Sequence, residues 1–274
     1  MVQYGRGQKQ GYHKEICLNE NGRDFVIGDI HANKKRLLNA LDNVTFNESI
    51  DRLFAVGDLI DGGKDNVKVL DMLYQKEWFY SIRGNHEQLL INRYDFPGDI
   101  PCCTPSEAVK KTKWDAAELH RYNGGKWFDR LWNDNAKHRI YTLLKKLPLA
   151  MTIETERGDV GLVHAGVPLE FKAWSDFLES LEQDEMVREE ALWTRDVIAE
   201  FYDYHRHRKW EAEVPVENRW LDGIGVTVHG HTGVGAKPAV HCNSVFIDAG
   251  AGSQNYHILE VGELFKLVEE NINA

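Results

Sequence analysis

The sequence lacks the features that mark membrane, exported and nucleic-acid-binding proteins. Its 274 residues contain no run of about 18 apolar residues, so we predict no membrane-spanning helix. The first twenty residues are polar and hold no apolar core of an export signal. The 33 Lys and Arg against 43 Asp and Glu argue against a broad nucleic-acid-binding face. Four cysteines without paired zinc spacing favour a reducing, cytoplasmic location.

The composition is that of a chain with a sizeable core. Apolar residues make up 42% of the sequence, enough for one large α/β domain. We predict a flexible N-terminal arm, or else an edge hairpin, over residues 1–20, and a single domain over residues 21–274. Loop-forming Pro and Gly residues interrupt the pattern at about 95–121. That insertion is either a lid over a site or a plain surface excursion.

Three apolar runs of strand length end in glycine and are then followed by polar side chains. Those polar residues are Asp29 with His31, Asp58 with Asp61, and Asn85 with His86. Helical patterns separate the runs, which predicts parallel βαβ units, and ligands bind at the carboxyl ends of such strands. A helix N-cap explains any single Gly-Asp pair equally well. The recurrence within about sixty residues favours one shared site.

Two further strand ends deliver histidines. His164 follows the apolar residues 160–163, and His231 follows residues 224–228. His164 alone would be read as a core histidine, but its company and the Ala-Gly after it favour a site. For His229 the core reading is favoured, because it is expected to point to the other face of its strand.

The six collected side chains are those of a candidate dinuclear metal site. They are Asp29, His31, Asp58, Asn85, His164 and His231. Oxygen and imidazole donors in this mixture suit Mn, Fe or Zn better than Ca or Mg. Six ligands exceed one tetrahedral site but suit two ions sharing the Asp58 carboxylate. Two ions about 3.5–4 Å apart can clamp both oxygens of a phosphate ester undergoing hydrolysis.

Neighbouring residues supply the remaining chemistry of phosphate ester cleavage. His86 is the predicted proton donor to the leaving oxygen, with Asp61 orienting its imidazole. Arg83 and Arg195 are candidates for binding phosphate oxygens. For Arg195 the alternative, an arginine on a helix surface, is at least as good.

The ordered motifs resemble those of the metallophosphoesterases, and within them the phosphoprotein phosphatases of bacteria and bacteriophages. They are Gly28-Asp29-Ile30-His31, Gly57-Asp58-Leu59-Ile60-Asp61, Arg83-Gly84-Asn85-His86-Glu87, Asn123-Gly124-Gly125-Lys126-Trp127, His164-Ala165-Gly166 and Gly230-His231-Thr232. The resemblance spans about residues 24–260 and implies a calcineurin-like α+β fold, a central β-sandwich flanked by α-helices. It implies two divalent ions, most often Mn²⁺, with Fe, Zn or Ni possible. One ion would be held by Asp29, His31 and Asp58, and the other by Asp58, Asn85, His164 and His231.

Two positions depart from the family pattern. Gly62 stands where the family usually has a phosphate-binding arginine, and Lys64 is only a partial substitute, because it is a point charge on a flexible stem. Ala32 stands where the family usually has glycine, which matters little if its backbone φ is negative.

The resemblance implies hydrolysis of phosphoserine or phosphothreonine in proteins, with small phosphoesters also accepted, and no nucleic-acid or membrane partner. A sibling family hydrolyses diadenosine tetraphosphate, but it typically has Asp at the position of Glu87. A metal-binding regulatory module with weakened catalysis is the third alternative, motivated by Gly62. The sequence carries no prediction of oligomeric state.

Overall fold

Two β-sheets stack face to face between layers of helices in the structure, a computed structural model that describes residues 11–95, 115–208, 220–250 and 252–273. The strands are β1 (His13–Ile16), β2 (Asp24–Ile27), β3 (Arg52–Ala55), β4 (Phe79–Ser81), β5 (Ala150–Ile153), β6 (Val160–Val163), β7 (Val226–His229), β8 (Ala239–His241), β9 (Ser244–Phe246) and β10 (Ile258–Glu260). The α-helices are α1 (Lys34–Asn43), α2 (Asn66–Gln75), α3 (Asn85–Asp95), α4 (Ala116–His120), α5 (Lys126–Asp129), α6 (Asp134–Lys145), α7 (Trp174–Gln183), α8 (Glu185–Trp193), α9 (Asp196–Arg208) and α10 (Val261–Ile272).

The strand order places the predicted site loops at the carboxyl ends of neighbouring parallel strands in both sheets. One sheet runs β10-β2-β3-β4, and the other runs β1-β5-β6-β7-β9-β8. Strands β2, β3 and β4 are parallel, as the sequence predicted, with Val26 opposite Phe54 and Phe54 opposite Tyr80. Strands β6 and β7 are also parallel. Each site loop therefore leaves its sheet in the same direction as its neighbours.

Alternation of side chains along the strands builds the core. Val26 and Phe54 point between the two sheets, whereas Phe25, Ile27 and Leu53 point to the opposite face. The inter-sheet layer also holds Met151, Ile153, Val160, Leu162, Val226, Val228 and Val245. The predicted β-sandwich flanked by helices is thus confirmed, because α1, α2, α3 and α6 cover one outer face and α7 and α8 the other.

Residues 1–20 were predicted to be a flexible arm or else an edge hairpin, and the part that forms β1 is an edge strand and not an arm. This strand pairs in parallel with β5, with Ile16 opposite Ile153. The carbonyl of Tyr12 accepts bonds from the amides of Leu149 and Ala150, at 2.7 and 3.0 Å. Pairing gives the polar backbone partners that an arm would lack. Residues 1–10 lie outside the described residues.

The other organisational predictions fall partly on described residues. Strands β5 and β6 form an antiparallel hairpin. Of the predicted insertion at about 95–121, residues 96–114 lie outside the described part, and α4 begins at Ala116. Among the described residues, none of the helices combines the length and apolarity that a membrane crossing requires.

One buried carboxylate joins the loops that follow β3 and β4. Glu87, in the first turn of α3, is fully buried. Its two oxygens accept hydrogen bonds from the amides of Asp58, Leu59 and Gly84, each at 2.8 Å, and of Ile60 at 3.2 Å. Burial and the charge of Asp58 raise the pKa of Glu87 to about 7, although the backbone bonds oppose that shift. The side chain therefore fixes two site loops to each other.

We expect Glu87→Gln to lower the free energy of unfolding by about 2–4 kcal/mol, because the new amide group faces backbone donors that it cannot satisfy. Urea unfolding of chelator-treated protein measures this without a metal contribution. Glu179→Gln, at an exposed position on α7, is the control. A Glu87→Gln loss no larger than the control's would contradict the role of this carboxylate.

Candidate metal centre

The structure brings the six predicted ligands together at the carboxyl ends of the strands. Ligand atoms of His31, Asp58 and His86 lie within 4.8 Å of one another, as do those of Asp29, Asp58 and His164. Asp58 belongs to both groups. A carboxylate shared in this way is what two adjacent ions would require.

Asn85 and His231 complete the arrangement beside His164. The Oδ1 of Asn85 lies 2.8 Å from His164 Nε2 and 3.0 Å from His231 Nδ1. His164 Nε2 is 3.5 Å from Asp58 Oδ1, and His31 Nε2 is 3.9 Å from Asp58 Oδ2. Ligands bound to one ion at about 2.1 Å lie roughly 3–4 Å apart. The spacing of these atoms is therefore that of a coordination sphere, and their assignment as ligands stays a prediction.

Hydrogen bonds to the backbone fix the orientation of two imidazoles. His164 Nδ1 lies 2.8 Å from the carbonyl oxygen of Val56, and His31 Nδ1 lies 3.3 Å from that of Ile60. A carbonyl only accepts, so Nδ1 carries the proton and each Nε2 offers a lone pair to the centre. Burial lowers the pKa of His164, which keeps the ring in its neutral, ligating form.

The two buried aspartates of the centre have opposite pKa shifts. Burial and the charges of Asp248 and Asp58 raise the pKa of Asp29 well above its ordinary value. Burial also raises the pKa of Asp58, but the nearby His164 and His86 outweigh it and leave that pKa below its ordinary value. Cations between these carboxylates would relieve their repulsion. The residues present thus fit two divalent ions.

Left-handed backbone conformations are concentrated at the centre. Positive φ angles occur at His31 (46°), Ala32 (52°), Asp58 (48°), Asp61 (67°) and His231 (61°). Such conformations cost non-glycine residues about 1 kcal/mol or more each and need surrounding structure to hold them. Alanine in place of the family's glycine at position 32 was expected to matter little only at a negative φ. Because φ is positive there, the alanine adds backbone strain.

Glycines give the carboxylates room. A Cβ at Gly84 would overlap the Asp58 carboxylate, and one at Gly230 would overlap that of Asp29. The glycines that end the apolar runs are therefore needed for close approach as well as for turning.

His86 and Asp61 form the predicted pair. His86 Nδ1 lies 2.8 Å from Asp61 Oδ2, and its Nε2 faces the centre, 3.8 Å from Asp58 Oδ2. Burial lowers the pKa of His86, but the charge of Asp58 and the hydrogen bond to Asp61 outweigh burial and raise that pKa to about 9. The ring therefore carries a proton that it can donate at the edge of the candidate centre.

Arg83 does not face the centre, which corrects its predicted role in phosphate binding. Its guanidinium donates to the carbonyls of Lys145 and Leu147, at 2.8 and 3.1 Å, and to Gln88 Oε1 at 2.9 Å. Carbonyls at the end of α6 accept such bonds because the helix leaves them unpaired. Arg83 thus fastens α6 to the loop after β4.

Arg195 and Gly62 are both exposed, and a role of Arg195 in phosphate binding stays a prediction. Arg195 is exposed between α8 and α9, and its charge contributes, after burial and His164, to lowering the pKa of His231 to about 3. Gly62 is exposed at φ 71°, and a Cβ there would meet nothing closer than His31 Cβ at 3.5 Å. A Cβ would fit there in van der Waals contact with His31, although the positive φ disfavours any side chain.

His229 is a core histidine, as predicted. It is fully buried, with Nδ1 2.9 Å from the Val163 carbonyl and Nε2 3.0 Å from Thr227 Oγ1. His120 and Trp127, in contrast, contact Asp61 and were not predicted to do so. The glycine pair before Trp127 was the available signal, because glycines often mark a close approach of two backbones.

Comparison with known proteins shows similarity to phosphoesterases. The family model described as calcineurin-like phosphoesterase matches residues 25–235. Serine/threonine-protein phosphatase 2 of Escherichia coli (strain K12) is 27% identical over 83% of this chain and 87% of its own length. Serine/threonine-protein phosphatase 1 of Salmonella typhimurium is 28% identical over 63% of this chain and 68% of its own.

More distant similarities extend to other phosphoesterases. A symmetrical bis(5'-nucleosyl)-tetraphosphatase of Pseudomonas putida is 25% identical over 61% of this chain and 50% of its own. The solved structure of a cold-active protein-tyrosine phosphatase of a psychrophile Shewanella covers 90% of this chain and 77% of its own, at a TM-score of 0.53 and 17% identity, and so shares the fold. The resemblance drawn from the motifs is confirmed: this chain belongs to the calcineurin-like phosphoesterase family and is a phosphoester hydrolase.

Proposed function

We propose that the protein is a metal-dependent serine/threonine protein phosphatase. The observation that carries the proposal is the meeting of the six ligand side chains with His86, whose Nε2 lies 3.8 Å from Asp58 Oδ2. Phosphate monoester hydrolysis needs positive charge at the phosphate and a proton for the leaving oxygen. Relatives named serine/threonine-protein phosphatases support the same substrate class.

The metal ligands divide between two positions that share Asp58. The family pattern assigns Asp29, His31 and Asp58 to one ion, and Asp58, Asn85, His164 and His231 to the other. The contacts of Asn85 with His164 and His231 support the second group, and Asp58 lies close to Asp29, His31 and His164. Two divalent ions there would polarise the phosphate and activate water. The oxygen and imidazole donors suit Mn²⁺, with Fe, Zn or Ni as alternatives.

The protein's own side chains position the substrate and move the proton. Asp61 accepts a hydrogen bond from the Nδ1–H group of His86, which directs Nε2–H to the leaving oxygen. Arg195, near His231, is the remaining candidate for binding phosphate oxygens, since Arg83 faces the core.

Diadenosine tetraphosphate hydrolysis is the second candidate, supported by the relative from Pseudomonas putida. Glu87 argues against it, because the sibling family typically carries the shorter Asp at that position. A catalytically weakened regulatory module is the third, supported by the absence of a guanidinium at Gly62.

A substrate panel separates these functions. Purified protein is assayed with p-nitrophenyl phosphate, a phosphoserine peptide and diadenosine tetraphosphate, with and without Mn²⁺, alongside metal analysis. The proposed function predicts Mn²⁺-stimulated release of phosphate from the peptide. Turnover of the dinucleotide alone would favour the second candidate, and no turnover with metal supplied would favour the third.

We expect Gly84→Ala to weaken metal binding at least tenfold, because the added methyl group overlaps the Asp58 carboxylate. Isothermal titration with Mn²⁺ measures the effect. Gly262→Ala, whose Cβ would meet nothing within 4 Å, is the matched control and should bind metal like the wild type. Equal affinity of the two variants would refute a metal site built on Asp58.

We expect His86→Asn to retain two metal ions but to lower kcat for a phosphoserine peptide by about 10²–10⁴-fold, because the proton donor is removed. Metal analysis and steady-state kinetics on the same preparation test this. His138→Asn, at an exposed position on α6, serves as control. Full activity of His86→Asn would exclude the acid role.

We expect Gly62→Arg to lower the KM for phosphomonoesters about tenfold, since a charge-assisted contact with phosphate contributes about 1.5–3 kcal/mol. Gly62→Ala carries the same backbone strain at φ 71° without the charge and is the control. If both variants share the wild-type KM, another group, with Lys64 the first to test, already occupies that role.

A further inference from the structure

Asp61 receives side-chain hydrogen bonds from two residues besides His86. His120 Nε2 lies 3.2 Å from both Asp61 oxygens, and Trp127 Nε1 donates to Oδ1 at 2.6 Å. The other oxygen, Oδ2, faces His86 Nδ1 at 2.8 Å. Both Asp61 and His120 are fully buried. One carboxylate therefore lies between two imidazoles, with an indole on the side away from His86.

The chain between His120 and Trp127 is shaped to make this contact. Residues Arg121–Gly125 form a π-helical turn with a kink at Asn123 and Gly124, a feature that often accompanies functional sites. Gly124 has φ 101°, and a Cβ there would press on the Gly62 amide. A Cβ at Gly125 would overlap the His120 ring. The glycine pair thus permits the segment to close on Asp61.

A second contact sets the tautomer of His120. Arg93 Nη1, on α3, lies 3.4 Å from His120 Nδ1. A guanidinium only donates, so Nδ1 accepts and the ring proton resides on Nε2, facing Asp61. Arg93 is itself paired with Asp129 on α5. Contacts with α3 and, through Arg93, with α5 therefore fix the orientation of His120.

We propose that His120 is a positioning residue for proton donation: its Nε2–H, with the Trp127 indole, holds the Asp61 carboxylate in the rotamer that orients His86. The inference rests on the proposed function. His120 is fully buried behind Asp61 and does not reach substrate, so it acts through the carboxylate. Without it, Oδ1 keeps only the Trp127 bond, and the carboxylate can turn away from His86 Nδ1.

The leaving group provides the discriminating test. A poor leaving group needs a proton in the transition state, whereas 2,4-dinitrophenolate leaves without one. We expect His120→Leu to lower kcat for phenyl phosphate about 10- to 100-fold, as loss of an orienting partner typically does, and to change kcat for 2,4-dinitrophenyl phosphate less than about threefold. KM and the number of bound Mn²⁺ ions should stay unchanged.

The matched variant is His120→Gln, whose terminal amide retains a donor toward Asp61 at similar side-chain length. We expect it to recover most of the activity on phenyl phosphate. Trp127→Phe removes the other donor to Oδ1 and should show the same leaving-group dependence. An equal loss on both aryl phosphates, or no loss on either, would overturn the proposal.

A measurement on the metal-free protein separates this inference from the proposed function. The His86 Nδ1–H proton, bonded to Asp61, should give a downfield ¹H NMR resonance that is absent from His86→Asn. We expect His120→Gln to retain that resonance and His120→Leu to shift or lose it. An unchanged resonance in His120→Leu would refute the positioning role whether or not any substrate is turned over.

Discussion

The arrangement of the site depends on the Glu87 carboxylate. It satisfies four backbone amides that would otherwise be buried without partners, three in the loop after β3 and one in the loop after β4. Such donors cost about 1–3 kcal/mol each when unpaired. Because Asp58 lies in the first of these loops and Asn85 directly follows the second, the same bonds set the distance between two predicted ligands. The hydrogen bond from the Asp58 amide to Glu87 stabilises the positive φ of Asp58.

The sequence predicted the parts of the structure that follow from strand ends. A buried parallel strand has a regular apolar run, and its carboxyl end is where polar residues converge, so Asp29, Asp58 and His164 were recognisable. The parallel βαβ units followed from the same periodicity, whereas the sandwich followed from the resemblance of the motifs to the family. The sequence did not distinguish an edge strand from a flexible arm at β1, because this strand is short, half polar and stabilised mainly by pairing with β5.

Side-chain direction and long-range contacts were beyond the sequence pattern. Arg83 follows a strand end like the ligands do, yet its long side chain turns to the carbonyls at the end of α6, sixty residues away in sequence. His120 reaches Asp61 only because a π-helical turn and two glycines bring distant backbones together. Neither position has a local periodicity that would indicate its partner. The site consequently has fewer positive side chains than the motifs alone suggested. Among the two arginines predicted to bind phosphate, Arg195 is the one whose charge acts on His231.

The predicted ligands are supplied by both sheets: Asp29, Asp58 and Asn85 follow strands of one, whereas His164 and His231 follow strands of the other. Ions bound there would cross-link the two halves of the sandwich at one edge. Whatever binds only the folded chain adds its binding free energy to the stability of that chain. The lifetime of this protein against proteolysis would then follow the metal supply of the cell, so that scarcity removes the enzyme itself as well as its activity.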